Sequence, residues 1–479
     1  MSAPSTASTR ASARSTSTPT SAWTAVPANR SARSRRSTTR TTCRSSGRST
    51  TRPTSSSSTT SAPRAVPRSS ATPARTTRSS PPCPRSSDPR RPHHRAEPEP
   101  EPRSASVNYG LDLPDYPWDT LAPYRARAAE HPGGICDLSI GTPVDPTPAV
   151  IREALAAGSD SHGYPTTAGT PELRAAIAGW YEQWHGIALD PRTQVMPTVG
   201  SKELVAWLPT LLGLRQRGLA VACPSAAYPT YEMGATLAGV DCVRLDAADI
   251  ASGAAGLEGI GLLWLNTPGN PTGTVLDVEV LAAVAERARA AGVVVASDEC
   301  YALLNWQGED ATPSILHPAV TGGDPTGLLA VYSMSKQSNL AGYRAAFTAG
   351  DPALVGDLTN SRKHAGMIVP GPVQTAMIAG LGDTAHVRAQ KETYRARRDT
   401  LLPAVTEFGL RVEHSEAGLY LWCTRDEDCW DTLAALAERG ILAGPGAFYG
   451  DAAGRFVRIA LTASDERIAQ AADRLRAGG

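Results

Sequence analysis

From residue 107 onward the chain alternates short unbroken apolar runs with longer stretches whose apolar residues recur at helical spacing. Runs of strand length lie at 194–198, 219–223, 261–265, 293–296 and 328–332, and helical spacing occupies 203–214 and 278–291 between them. Strands without polar alternation are buried on both faces, which predicts an α/β fold with a mainly parallel sheet covered by helices. From about residue 350 the pattern changes to a long helical stretch at 387–407 and short strands near 419–423 and 456–461. That pattern predicts a second, smaller α+β domain. No internal repeat is evident.

The first 105 residues lack this patterning. They are Ser, Thr, Arg, Pro and Ala with almost no aliphatic residues, and such a segment cannot bury enough apolar area to offset backbone entropy, so 1–106 is expected to be disordered. An Arg-rich transit peptide, a basic tail, and upstream DNA translated from a misplaced start all fit this composition. The last is favoured, because no Met occurs between Met1 and Met196 and Val107 offers an alternative start.

The formal charge of +1 conceals an asymmetry: residues 1–105 hold 19 of the 47 basic residues and four of the 46 acids. The remainder therefore holds 28 basic and 42 acidic residues, a net of −14 that argues against a nucleic-acid partner. No apolar stretch is long enough for a membrane helix, so no membrane partner is expected. Eight scattered cysteines without a CxxC pair fit reduced thiols in a cytoplasm, with no metal site.

Polar clusters fall where strands end, and in an open parallel sheet ligands sit beyond the carboxyl ends of strands. The turn at Gly200, Ser201 and Lys202 opens a helix whose free N–H groups could hold a phosphate, or could simply be a turn. The stretch 266–273 carries two Asn, two Pro and two Gly, which makes a rigid loop aiming Asn270. Asp298 leaves the buried end of an apolar run, which is costly unless it meets a cation or strong donor; helix capping is the plainer reading. Lys336 follows another such run, with Ser333, Ser335 and Arg344 close by, and desolvation there would lower its pKa toward a useful nucleophile. Lysine is otherwise scarce, at positions 202, 363 and 391 only.

Together these clusters resemble the class I aminotransferases, with the pyridoxal-phosphate (PLP) dependent transferase fold type I. The order matches from Tyr164, through Gly200, Tyr228 in Tyr-Pro-Thr-Tyr, Asn270, Asp298, Tyr301, Lys336 and Arg344, to Arg458 in Phe-Val-Arg-Ile-Ala-Leu, over residues 107 to 475. The resemblance implies that Lys336 carries PLP as a Schiff base and acts as general acid and base, with Asp298 paired to the pyridine nitrogen. It implies that Asn270 and Tyr301 bind the ring hydroxyl and Tyr228 stacks on the ring. Ser201, Lys202, Ser333 and Arg344 would bind phosphate. Tyr164 would reach the phosphate of a neighbouring subunit, making a homodimer with shared active sites. Gly141, Asn270 and Arg458 would bind the substrate carboxylate. The implied division is 107–150 as the N-terminal part of a small domain, 151–349 as the PLP-binding domain, and 350–479 as the C-terminal part of the small domain.

Phrases beginning at Asp137, Lys202 and Arg362 look like those of actinobacterial succinyldiaminopimelate transaminases. That resemblance implies amino acid and 2-oxo acid substrates, namely glutamate, 2-oxoglutarate and an N-succinyl-diaminopimelate of lysine biosynthesis. Arg362 and Lys363 could meet a second carboxylate, but are read as helix-surface residues. Another class I aminotransferase, of aspartate or aromatic type, or a carbon–sulfur β-lyase would keep every cofactor residue. An acylating Ser333/Lys336 pair of a penicillin-binding enzyme is rejected, because Ser-Asp-Asn and Lys-Thr-Gly are both missing. A PLP-fold transcription regulator is rejected because 1–105 lacks the apolar positions for a DNA-binding helix pair.

Overall fold

The computed structural model describes residues 110, 111 and 113–477, so the expectations for 1–106 lie outside the described residues. In chain order the strands begin with β1 (Cys136–Asp137), β2 (Val195–Val199), β3 (Ala220–Cys223), β4 (Cys242–Arg244) and β5 (Ile260–Asn266). They continue with β6 (Val294–Asp298), β7 (Leu328–Ser333), β8 (Ala345–Gly350) and β9 (Arg411–Val412). The last are β10 (Tyr420–Thr424), β11 (Ile441–Leu442), β12 (Gly444–Pro445) and β13 (Phe456–Ala460).

The apolar runs form a seven-stranded sheet in the order β2-β8-β7-β6-β5-β3-β4. All its pairings are parallel except those of β8, which runs against both neighbours. Each of the five expected strands is present to within a residue or two, as the burial of β5 up to Leu265 and of all of β7 requires. β4 and β8 were not anticipated: β4 is short, and β8 is an Ala- and Gly-containing strand without a distinctive apolar run. The helix Val278–Ala291 begins where Asp277 accepts a hydrogen bond from Val280 N and ends at Gly292 in the left-handed region (φ 67°), where glycine carries no Cβ penalty. The helix expected over 203–214 instead breaks at Gly213, leaving Ser201–Leu211 and Leu214–Arg217.

Two hydrophobic clusters cover the two faces of the large sheet, one including Trp180, Val295 and Phe347 and the other including Leu208, Tyr231 and Trp264. A further core surrounds the four-stranded antiparallel sheet β12-β13-β10-β9, and the parallel pair β1-β11 joins it through Cys136, Leu138, Ile441 and Leu442. Core membership does not change at residue 350. Val355 and Leu358 bury against the large sheet, as do Val369, Met377 and Val387, and beyond residue 350 the chain returns to the other core only from Tyr394. The helix Thr384–Glu407 therefore contributes to both. Among the described residues no helix is long and apolar enough to cross a membrane.

Candidate active site

β7 is buried along its whole length and ends at Ser333, whose hydroxyl accepts from Ser335 N at 3.2 Å and caps the short helix Met334–Gln337. This turn delivers Lys336 into a cavity at the carboxyl end of the parallel strands, where its ammonium donates to the Gly141 carbonyl. Burial pulls the Lys336 pKa down, and the nearby Arg458 and Arg344 charges push the same way against the phenol of Tyr420.

β6 ends in Asp298, 7% exposed. Its Oδ2 accepts from Tyr231 Oη at 3.0 Å and its Oδ1 from Cys300 N at 3.2 Å. Burial raises its pKa, and these donors oppose the rise. Beside it the loop after β5 is fixed by one side chain. Asn266 accepts from Asn270 N at 2.7 Å while its amide nitrogen donates to Asp298 O at 2.9 Å and Pro268 O at 3.1 Å.

Asn270 Oδ1 in turn accepts from Arg458 Nη1 at 2.8 Å, and Arg458 Nη2 donates to Ser139 O at 2.8 Å. Arg458 sits in β13 opposite Trp422 of β10, only 3% exposed, with its guanidinium carbon 3.9 Å from the Tyr420 ring centroid. Its Nε has no hydrogen-bond partner. Tyr420 Oη lies 3.2 Å from Tyr301 Oη. Burial would raise the Tyr420 pKa, but the Arg458 and Lys336 charges bring it below the usual phenol value.

On the opposite wall, Gly200 (φ 82°) precedes the helix Ser201–Leu211, whose first N–H groups receive no side-chain cap. The Arg344 guanidinium occupies the space that a Cβ on Gly200 would need, and a Cβ on Gly141 would collide with the Tyr420 hydroxyl. Glycine at both positions is thus a steric requirement of the cavity wall. Ser333 Oγ donates to Ser335 Oγ at 2.8 Å close to the same guanidinium-lined corner. Tyr228 also faces the cavity, with its phenol pushed up to about 12 by burial.

Of the twelve residues to which the resemblance gives a role, the cavity of about 900 Å³ is lined by all except Tyr164, which is fully exposed in the single chain. Lys202 points its ammonium over the Tyr116 ring, 5.8 Å from the centroid.

The surface reading of Arg362 is corrected: it is fully buried and pairs with Glu203 at 2.8 and 2.7 Å, while Lys363 is exposed. A single buried arginine needs a carboxylate, and the first turn of Ser201–Leu211 supplies one. Sequence reasoning missed Tyr231, Cys300, Tyr420 and the aromatic wall of Tyr116, Trp118 and Phe448. Tyr231 was within reach, since it lies three residues after Tyr228 across the turn that opens a helix, where Tyr231 N donates to Tyr228 O.

A family model described as Aminotransferase class I and II matches residues 134–475. A Mycobacterium tuberculosis protein named "Probable aminotransferase Rv1178" is 54% identical over 363 residues, covering 76% of this chain and 85% of its own. The "4-dedimethylamino-4-oxo-anhydrotetracycline transaminase OxyQ" of Streptomyces rimosus is 52% identical over 366 residues, covering 76% of this chain and 99% of its own. The solved N-succinyldiaminopimelate aminotransferase of Mycobacterium tuberculosis superposes with a TM-score of 0.65 at 28% identity, covering 75% of this chain and 96% of its own.

Proposed function

The chain belongs to the class I and II aminotransferases, and on that premise we propose that it moves the amino group of glutamate onto the keto form of N-succinyl-LL-2,6-diaminopimelate, using PLP held by Lys336. The observation that carries this reading is the convergence of an amine, a carboxylate and a guanidinium, Lys336, Asp298 and Arg458, on one cavity.

The residues fit the cofactor. Lys336 supplies the amine, Asp298 a buried carboxylate for a ring nitrogen, and Tyr228 an aromatic face. The uncapped helix start at Ser201 and Lys202, with Ser333 and Arg344, forms a cradle for a dianion whose floor is kept open by Gly200. PLP, when bound, supplies an electron-withdrawing ring that takes up the electron pair left at the substrate α-carbon.

The protein's own residues supply the rest. The Arg458 guanidinium, with Nε free and Asn270 beside it, binds and orients the substrate carboxylate. Lys336, its pKa lowered by burial, takes the proton from the α-carbon of the amino donor and, in the second half of the exchange, supplies one to the former carbonyl carbon of the acceptor. Asn270 and Tyr301 hold the ring hydroxyl, and Tyr228 covers the ring and excludes water. Tyr164 completes the phosphate site of a partner subunit, which accounts for an aromatic residue left fully exposed in one chain.

The helix start at Lys202 serves the phosphate through its backbone, while the Lys202 ammonium, lying over the Tyr116 ring on the cavity wall, supports a substrate with a second carboxylate, such as a succinyl group. A second reading, a bulky polycyclic ketone as acceptor, is favoured by the likeness to the Streptomyces rimosus transaminase and by the wall of Tyr116, Trp118 and Phe448. Amino-group transfer from glutamate to a panel of acceptors decides between them. The panel comprises N-succinyl-2-amino-6-oxopimelate, an anhydrotetracycline ketone, oxaloacetate and an aromatic 2-oxo acid. Preference for any acceptor other than the first overturns the succinyl assignment.

A further inference from the structure

The half-buried carboxylates Glu203 and Asp145 each face an arginine, Arg362 and Arg397, whereas Asp298 lies deeper, at 7% exposure. Among the described residues it has no ion-pair partner, and the hydrogen bonds it accepts come from neutral groups, Tyr231 Oη, Cys300 N and the Cys300 thiol. Tyr231 is fully buried and its orientation is fixed on two sides. Its ring stacks on Trp264 of β5 at 5.0 Å and 17°, and meets Tyr228 edge-on at 5.7 Å and 85°. Held in this way, its hydroxyl meets Asp298 Oδ2.

We propose that Tyr231 is the positioning residue that keeps Asp298 ionised and aimed at the ring nitrogen of the cofactor, acting as a neutral donor where a cation would defeat the purpose. The inference rests on the reading that the cavity holds PLP. A bare carboxylate at this depth would rather be protonated. An arginine beside it would keep it ionised, but would also cancel the negative field that holds a proton on the ring nitrogen. A phenol meets both demands, because it donates a hydrogen bond and carries no charge. Burial holds the Tyr231 phenol well above its usual pKa, so it remains a donor at any working pH. Without the hydroxyl, Asp298 becomes the stronger base, and the proton shared with the ring nitrogen moves toward the carboxylate.

The test uses the full chain with Tyr231→Phe, which removes one oxygen and keeps the ring that stacks on Trp264. The cofactor is labelled with ¹⁵N at its ring nitrogen, and its chemical shift is followed against pH. Cofactor dissociation is measured alongside. The variant should lose the ring proton about one pH unit or more below the parent, and bind cofactor about tenfold more weakly, as for loss of a hydrogen bond to a charged group. An unchanged nitrogen titration with unchanged affinity would mean that Tyr231 only packs, and would overturn the proposal. Independently of that variant, the infrared difference between cofactor-free parent and Asp298→Asn should show an ionised carboxylate at neutral pH. A protonated carboxyl band there also overturns it. If the parent itself fails to bind PLP, the cofactor reading fails instead, which separates the two.

Discussion

Arg458 and Asn270, 188 residues apart in the chain, are joined by a hydrogen bond of 2.8 Å. One lies in the middle of an antiparallel strand and the other in a loop after a parallel one, so the contact ties the two sheets together at the point where a substrate carboxylate is expected. Arg458→Lys keeps a charge but loses the planar fork. Its KM for the amino donor should rise about tenfold or more, with a smaller change in kcat, and steady-state kinetics with glutamate read this directly.

Lys336→Ala removes the amine that moves the α-proton, and turnover should fall by about a thousandfold or more. Borohydride reduction of the parent should leave a pyridoxyl mass on the peptide containing Lys336. A label on Lys202, Lys363 or Lys391 instead would refute the assignment.

Tyr164 and Lys336 are expected to serve one active site from different subunits. Tyr164→Ala and Lys336→Ala, each impaired alone, should recover activity when unfolded together and refolded. Random pairing leaves about a quarter of the sites intact. Recovery of nothing above the separate variants would place both residues in the same subunit's site.

Glu203 and Arg362 form a two-pronged ion pair with the arginine fully buried. Glu203→Gln leaves that charge uncompensated and should lower unfolding free energy by about 3 kcal/mol. Urea denaturation of the cofactor-free protein measures it.

Glu299 is buried beside Asp298, and burial raises its pKa from 4.5 to about 7 although Ile315 N donates to it at 2.8 Å. A carboxyl with a raised folded-state pKa binds its proton more tightly when folded. Its contribution therefore weakens stability as pH rises from about 4.5 to about 7, by at most roughly 3 kcal/mol. The difference between the stability–pH curves of parent and Glu299→Gln should show this slope. Parallel curves would show that Glu299 does not titrate in that window.

The parts of the site that could be read from sequence were those set by local structure. Asp298 and Lys336 each follow an apolar run that becomes a buried strand, so the run alone locates the sheet end where they emerge. The turn residues around Asn270 likewise declare a rigid loop. Tyr420 was missed because its meeting with Arg458 follows from the pairing of β10 with β13, which nothing in either stretch encodes alone. Arg362 was misread because its burial depends on Glu203, 159 residues away, while its own neighbours Lys363 and His364 look like solvated helix surface. β8 escaped because small residues fit equally well in a strand or a turn.

The reversed direction of β8 has one more consequence. β2, β5, β6 and β7 present residues at or just beyond their carboxyl ends to the cavity, Ser201, Asn270, Asp298 and Ser335 among them, but β8 delivers the one that precedes it, Arg344. Lys336 and Arg344 thus hang from the two ends of one connection between adjacent strands, 334–344. Insertions elsewhere on the rim could lengthen a loop and spare the chemistry. In this connection an added residue would change the span between amine and guanidinium, and with it the size of molecule the two can grip together.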